Sequence, residues 1–70
     1  MSRAGFEALG AEELIKYLAT QKVVLDVDEQ GIFRKQKING AALTVLSFDN
    51  LRAEGISAGV AGLTLSKIPQ

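Results

Sequence analysis

The sequence has no cysteine and no histidine, and its eight basic side chains are balanced by eight acidic ones. Without cysteine, neither a disulfide bond nor a thiolate metal site can stabilise the chain. Without histidine, it lacks the commonest general base and the commonest metal ligand. A formal net charge of zero is untypical of domains that bind nucleic-acid phosphates. We therefore expect no enzyme activity, no cofactor and no small-molecule substrate.

Long apolar runs are also missing from the sequence. No segment approaches the ~20 apolar residues that a membrane-spanning helix needs, and the first seven residues lack the apolar core of a signal peptide. The 70 residues suffice for one small domain at most. An apolar fraction of 47% is too high for a disordered chain. We expect an intracellular domain that does not bind a membrane, in the cytoplasm or alternatively in the nucleus.

Periodicity and capping signals predict the first helix. Residues 1–8 are interpreted as a loose lead-in, in which Phe6 or Leu9 folds back onto the domain. A helix is predicted from Ala11 to Thr20, because two glutamates occupy its first turn and its apolar residues follow a helical spacing. The stripe that we expect to be buried consists of Leu14, Ile15 and Leu18.

The second predicted helix begins after an apolar connector. Residues 22–25 contain two adjacent valines, but no second strand is available to pair with them, so an extended connector is predicted. Asp26 and Glu29 have the spacing of a capping box, which predicts a helix that ends near Lys35. We expect this helix to bury Val27, Ile32 and Phe33. Gly31 within it predicts loose winding or the close approach of another backbone.

Three further helices are predicted in the second half. Ile38-Asn39-Gly40 forms a turn before a short helix from Ala41 to Val45. Ser47 caps the next helix, which ends with Gly55 as a left-handed residue and Ile56 as its apolar clip. Ser57 is predicted to cap the last helix, which is expected to end near Ile68. These elements give an all-α bundle of five helices.

The acidic residues offer two weaker interpretations. Asp26, Asp28 and Glu29 are carboxylates of the kind that bind calcium, but the segment lacks the other oxygen ligands and the glycine of an EF-hand loop. Paired carboxylates can also act in catalysis, yet adjacent residues on a helix face different directions. No metal site and no catalytic residues are therefore expected.

Several short motifs follow one another in a fixed order: Leu9, Glu12-Glu13-Leu14, Tyr17-Leu18, Phe33 to Gly40, Leu43, Leu46, Ser47, Asp49-Asn50-Leu51, Gly55-Ile56, Gly59, Leu65 and Ile68. Their order and spacing resemble the sterile alpha motif (SAM) family over residues 9–68. The resemblance implies a compact five-helix bundle. The last helix departs from many family members, because Val60-Ala61 stands where basic residues are common.

The resemblance also implies a function. Such domains associate with themselves or with one another, as parts of signalling and scaffold proteins, and the start of the last helix of one copy docks on the middle of the next. Carried over position by position, the end surface consists of Ser57, Ala58, Gly59, Val60 and Leu63, and the middle surface of Asn39, Ala42, Asp49, Asn50 and Glu54. We expect weak salt dependence, because this last helix has no basic residues near its start.

An RNA-binding domain is the alternative interpretation. Arg34, Lys35 and Lys37 form a short basic run that could contact phosphates. Acidic residues interrupt the surrounding sequence, and no aromatic ladder accompanies the run. The same basic residues also fit a solvated helix end, where positive charge is favourable.

Overall fold

Six α-helices and no β-strand make up the computed structural model, which describes all 70 residues. The prediction of an all-α chain is confirmed. The sixth helix lies at the N-terminus, ahead of the five that the sequence predicts. In chain order the helices are α1 (Arg3–Glu7), α2 (Ala11–Thr20), α3 (Val27–Lys35), α4 (Gly40–Leu43), α5 (Phe48–Ala53) and α6 (Ala58–Ser66).

The N-terminal segment is helical, in contrast to the loose lead-in expected for residues 1–8. The hydroxyl of Ser2 caps α1 by accepting a hydrogen bond from the Gly5 N–H at 3.0 Å. Phe6 is fully buried, and its ring meets Tyr17 of α2 edge to face at a centroid distance of 5.9 Å. The sequence does not predict α1, because its five residues are too few to show a helical period. The expectation that Phe6 or Leu9 folds back onto the domain is confirmed for Phe6.

The starts of α3 and α5 match the capping signals of the sequence, whereas the Ser57 side chain bonds to Glu29 and does not cap α6 as predicted. In α3, Asp26 accepts from the Glu29 N–H at 2.7 Å, and Glu29 accepts from the Asp26 N–H at 3.2 Å. In α5, Ser47 and Asn50 exchange the same pair of hydrogen bonds. These reciprocal caps satisfy backbone donors that the first helical turn leaves unpaired. The ends are less predictable: α4 stops at Leu43 rather than Val45, and α6 stops at Ser66 rather than Ile68.

Three helices end in the same way. After α2, α3 and α5, the chain closes with a Schellman motif, in which an N–H just beyond the helix bonds to a carbonyl five residues earlier. In each motif, the donor and the acceptor both belong to buried apolar residues. The three hydrogen bonds are Val23 to Leu18 at 2.9 Å, Ile38 to Phe33 at 2.8 Å, and Ile56 to Leu51 at 3.1 Å.

Each of these motifs requires one residue in the left-handed conformation. Gly55 has φ +102°, as the sequence predicts, and glycine adopts such angles without steric cost. The other two positions hold lysines, Lys22 with φ 65° and Lys37 with φ 54°. A side chain in this conformation costs roughly 1–2 kcal/mol. Burial of the apolar residue that follows each lysine offsets that strain.

The core lies between the helices and contains twelve buried apolar residues. The expected stripe of α2 is buried, and so are Val23 and Leu25 of the connector. Val27 is 81% exposed, so its predicted burial is wrong. As the first residue of α3 it lies at the helix end, and Glu29 and Phe33 turn inward instead. The core residues are Phe6, Leu14, Ile15, Leu18, Val23, Leu25, Phe33, Ile38, Leu43, Leu51, Ile56 and Ala61.

One glycine allows α1 to pack against α4. The Gly40 N–H donates to the Leu9 carbonyl at 2.9 Å, and a Cβ built on Gly40 would lie 1.8 Å from the Phe6 carbonyl oxygen. No side chain fits at that distance. By contrast, Gly31 has no neighbouring atom within 4 Å of its missing Cβ, so the close approach considered for Gly31 does not occur.

We predict that Gly40→Ala lowers the free energy of unfolding by about 2 kcal/mol or more, because the added methyl group forces α1 away from α4. The matched control is Gly31→Ala, which adds a methyl group in open space within a helix and should raise stability by up to ~1 kcal/mol. Urea unfolding followed by circular dichroism measures both values. Equal stabilities for the two variants would contradict the close contact at Gly40.

A second prediction concerns Thr64 of α6, which is fully buried and whose hydroxyl has no hydrogen-bond partner. Thr64→Val replaces this hydroxyl with a methyl group of similar shape and should stabilise the fold by about 1 kcal/mol. In the control Thr44→Val, the lost hydroxyl donates to the Ala41 carbonyl at 2.6 Å, and no gain is expected. A loss of thermal stability in Thr64→Val would show that its hydroxyl is satisfied.

Candidate functional site

The outer side of α6 is uncharged and exposed. No charged residue occurs between Glu54 and Lys67, so this helix has no charged face to turn to solvent. It buries Ala61 and Thr64 against the core. Leu63 is 51% exposed on the opposite side. We use the name α6 face for the exposed residues Gly59, Gly62, Leu63 and Ser66.

The apolar surface continues from α6 onto α5. Phe48, the first residue of α5, is 41% exposed. Its ring lies beside α6, since a Cβ on Gly62 would be 4.0 Å from the Phe48 Cε1 atom. The sequence analysis did not assign Phe48 to a site. Its position directly after the N-cap Ser47, in the first turn of a helix, was the available signal that its ring would be exposed.

The predicted end surface is exposed only in part. Ala58, Gly59 and Leu63 are exposed, as an interaction surface requires. Val60 is half-buried and packs against the core of its own domain, so it serves the fold as well as any partner. Ser57 is exposed, but both of its hydrogen-bond donors already have a partner within the chain.

That partner is the carboxylate of Glu29, which is only 5% exposed. Its Oε2 atom accepts from the Ser57 N–H at 3.0 Å and from the Ser57 hydroxyl at 2.9 Å. Its Oε1 atom accepts from the Asp26 N–H. Glu29 therefore joins the start of α3 to the start of α6. The N–H groups of Ala58, Gly59 and Val60 donate to no acceptor within the chain.

The pKa of Glu29 reflects these contacts. Burial raises the pKa, since it disfavours the charged carboxylate. The hydrogen bonds from the Ser57 N–H, the Asp26 N–H and the Ser57 hydroxyl outweigh burial and bring the pKa below its ordinary value. The sequence shows the contact with Asp26 as a capping box, but no local signal shows the contact with Ser57, which is 28 residues away.

The predicted middle surface draws on α4 and α5. Asn39 is half-buried, and its side-chain oxygen caps α4 by accepting from the Ala42 N–H at 2.8 Å. Ala42 is also half-buried. Asp49, Asn50 and Glu54 are exposed along α5, where the Asn50 side chain is engaged with Ser47. The carboxylates of Asp49 and Glu54 remain at the surface.

The basic run at the end of α3 is partly neutralised. The guanidinium of Arg34 forms an ion pair with Glu12 of α2 and also bonds to Gln30. The hydrogen bond to Arg34 lowers the pKa of Glu12, and the same contact raises the pKa of Arg34. Lys35 and Lys37 are exposed beside this pair.

Pockets, metal-binding clusters and membrane-spanning helices are all absent from the structure. The surface contains no pocket. No group of three or more acidic side chains is placed to hold a metal ion. None of the helices is long and apolar enough to cross a bilayer.

No family model matches the sequence, and no curated protein or solved structure matches the chain.

The Glu29 contacts predict a pH dependence of stability. Because the folded-state pKa is lower than the unfolded value of about 4.3, the stabilisation is fully present above pH ~4.3. It is lost as the pH falls through the folded-state pKa. When the free energy of unfolding is measured at decreasing pH, Glu29→Gln should lose less stability than the parent chain. Parallel curves for the two proteins would contradict this assignment.

Proposed function

We propose that the chain is a non-catalytic protein-interaction module that associates with further copies of itself or with similar domains. The observation that carries this proposal is the exposed, uncharged α6 face. A helix that is apolar on all sides is normally buried on all sides. In α6, the inner side covers the core while Leu63 stays half-exposed. A second protein chain would cover the side that its own domain leaves open.

The proposed partner surface lies on α4 and α5 of another copy. There, Ala42 offers an apolar contact, and the exposed carboxylates of Asp49 and Glu54 belong to the same surface. The start of α6 and this middle surface differ from each other, so the contact is heterologous. Heterologous contacts extend into open chains or close into rings, which fits a scaffold that gathers signalling proteins in the cytoplasm.

The SAM resemblance is part of the same proposal. The five helices α2 to α6 lie within residues 9–68, over which the sequence motifs run. The turn after α3, the capped start of α5 and the Gly55-Ile56 turn occur at helix boundaries, as the resemblance implies. These features support a bundle of the SAM type, with α1 as an addition ahead of it.

The size of the domain limits the strength of such a contact. A stable interface buries about 800 Å² on each partner. The whole accessible surface measures 4156 Å², so an interface of that size would occupy about a fifth of it. Only two large apolar side chains, Leu63 and Phe48, are exposed on and beside α6. We therefore expect weak association of isolated domains, strengthened where several copies are linked together.

We predict that Leu63→Glu abolishes self-association, because it places a charge in the centre of the apolar contact. The matched control is Val27→Glu, which adds the same charge at an exposed valine in the first turn of α3. Sedimentation over a range of protein concentrations measures the association constant, and circular dichroism checks that both variants remain helical. Association of the parent chain should change little between low and high salt.

The proposal fails if the parent chain stays monomeric at the highest accessible concentration. It also fails if Leu63→Glu associates as strongly as Val27→Glu. A steep loss of association with salt would point to a contact dominated by charge instead of the α6 face.

A further inference from the structure

The dipeptide Asn39-Gly40 meets two structural requirements of the fold. Asn39 caps α4, because its side-chain Oδ1 atom accepts from the Ala42 N–H at 2.8 Å. Position 40 requires glycine, because a Cβ there would lie 1.8 Å from the carbonyl oxygen of Phe6. The fold thereby places an asparagine directly before a residue without a side chain. This pairing is chemically labile, since no side chain of the glycine hinders the approach of its nitrogen to the asparagine amide.

The reaction open to this dipeptide is closure of a succinimide ring. The backbone nitrogen of Gly40 gives up its proton to solvent and attacks the Cγ atom of Asn39. The new N–Cγ bond replaces the Cγ–Nδ2 bond, and the side-chain nitrogen takes up a proton and leaves as ammonia. Water then adds to either ring carbonyl and opens the ring to aspartate or isoaspartate. The net change is the exchange of ammonia for water, which needs neither an oxidant nor a reductant.

In the folded chain, both reacting groups are engaged in other contacts. Gly40 is buried, and its N–H donates to the Leu9 carbonyl at 2.9 Å, so solvent does not reach this proton. The Asn39 side chain is held by its hydrogen bond to the Ala42 N–H. Phe6 lies in α1 and Leu9 follows that helix directly. The unreactive arrangement therefore depends on the packing of α1 against α4.

We infer that Asn39 is a modification site, convertible to aspartate or isoaspartate, and that the docked α1 keeps it closed. The helix α1 lies at the end of the chain, has five residues, and buries only Phe6. Terminal elements with few buried residues open at a lower free energy than the whole fold. Release of α1 frees the Gly40 N–H while the other helices stay folded.

The two products affect the fold differently. Aspartate keeps a side-chain oxygen for the Ala42 N–H, and it caps a helix as well as asparagine does. Isoaspartate carries the main chain through its side chain and so inserts a methylene group between residues 39 and 40. Gly40 then no longer fits against Phe6 and Leu9, and α1 remains released. Formation of isoaspartate is thus a one-way switch in the position of α1.

Peptide mass spectrometry of the full chain, incubated at mildly alkaline pH, measures the exchange of ammonia for water. Asn50 is the internal reference, because it also caps a helix but is followed by the bulky Leu51. In the chain unfolded with guanidinium chloride, Asn39 should react while Asn50 remains intact. In the folded parent, Asn39 should react about tenfold more slowly or less, because only the opened population reacts.

Ser2→Ala and Ser47→Ala form a matched pair, since each removes a serine cap, from α1 and from α5. Ser2→Ala should speed the reaction of Asn39 about threefold or more, because loss of its cap favours the release of α1. Ser47→Ala should leave the rate unchanged. Circular dichroism checks that both variants remain folded.

Equal rates for Asn39 in the folded and the unfolded chain would overturn the inference, and so would a parent rate in Ser2→Ala. Equal acceleration by the two serine variants would also overturn it, because the reaction would then follow global unfolding. The ring closes within one chain, so the result does not depend on the self-association that tests the proposed function.

Discussion

The fold depends on three backbone hydrogen bonds that end helices and build the core in one step. Each bond joins two buried apolar residues five positions apart: Leu18 with Val23, Phe33 with Ile38, and Leu51 with Ile56. These six residues make up half of the buried apolar core. Since a domain of this size has little apolar surface to bury, helix termination cannot be separated from packing. Burial of Val23, Ile38 or Ile56 thereby sets the direction in which the chain leaves each helix.

One buried carboxylate complements this apolar framework. Glu29 ties α6 to α3 through a buried carboxylate, while the remainder of α6 packs through Ala61 and half-buried apolar residues. Breaking a buried, hydrogen-bonded charge is costly, so this contact fixes the direction of α6 more strictly than side-chain packing alone. The uncharged outer side of the helix is therefore presented to solvent in one orientation.

Local signals in the sequence predict most of the helices, because capping residues and apolar spacing act over three or four positions. The left-handed Gly55 is predictable for the same reason. Lys22 and Lys37 occupy equivalent positions but escape prediction, because lysine gives no left-handed signal and only burial of the next residue requires that conformation. Within the candidate site, the exposure of Leu63 and the position of the start of α6 can be predicted from the sequence. The contact of Glu29 with Ser57 does not, since it depends on how two distant helix ends meet.

The close contact between α1 and α4 has a practical consequence for dissecting the protein. A shortened chain that begins at residue 9 would retain every motif of the SAM resemblance, yet it would lose the aromatic ring of Phe6 from the interior. A cavity would open beside Tyr17, and the Gly40 backbone would become exposed to water. Loss of a buried phenylalanine side chain costs about 3–5 kcal/mol, a large share of the stability of so small a domain. A boundary at residue 9, as the SAM resemblance suggests, would therefore leave out a fully buried core residue.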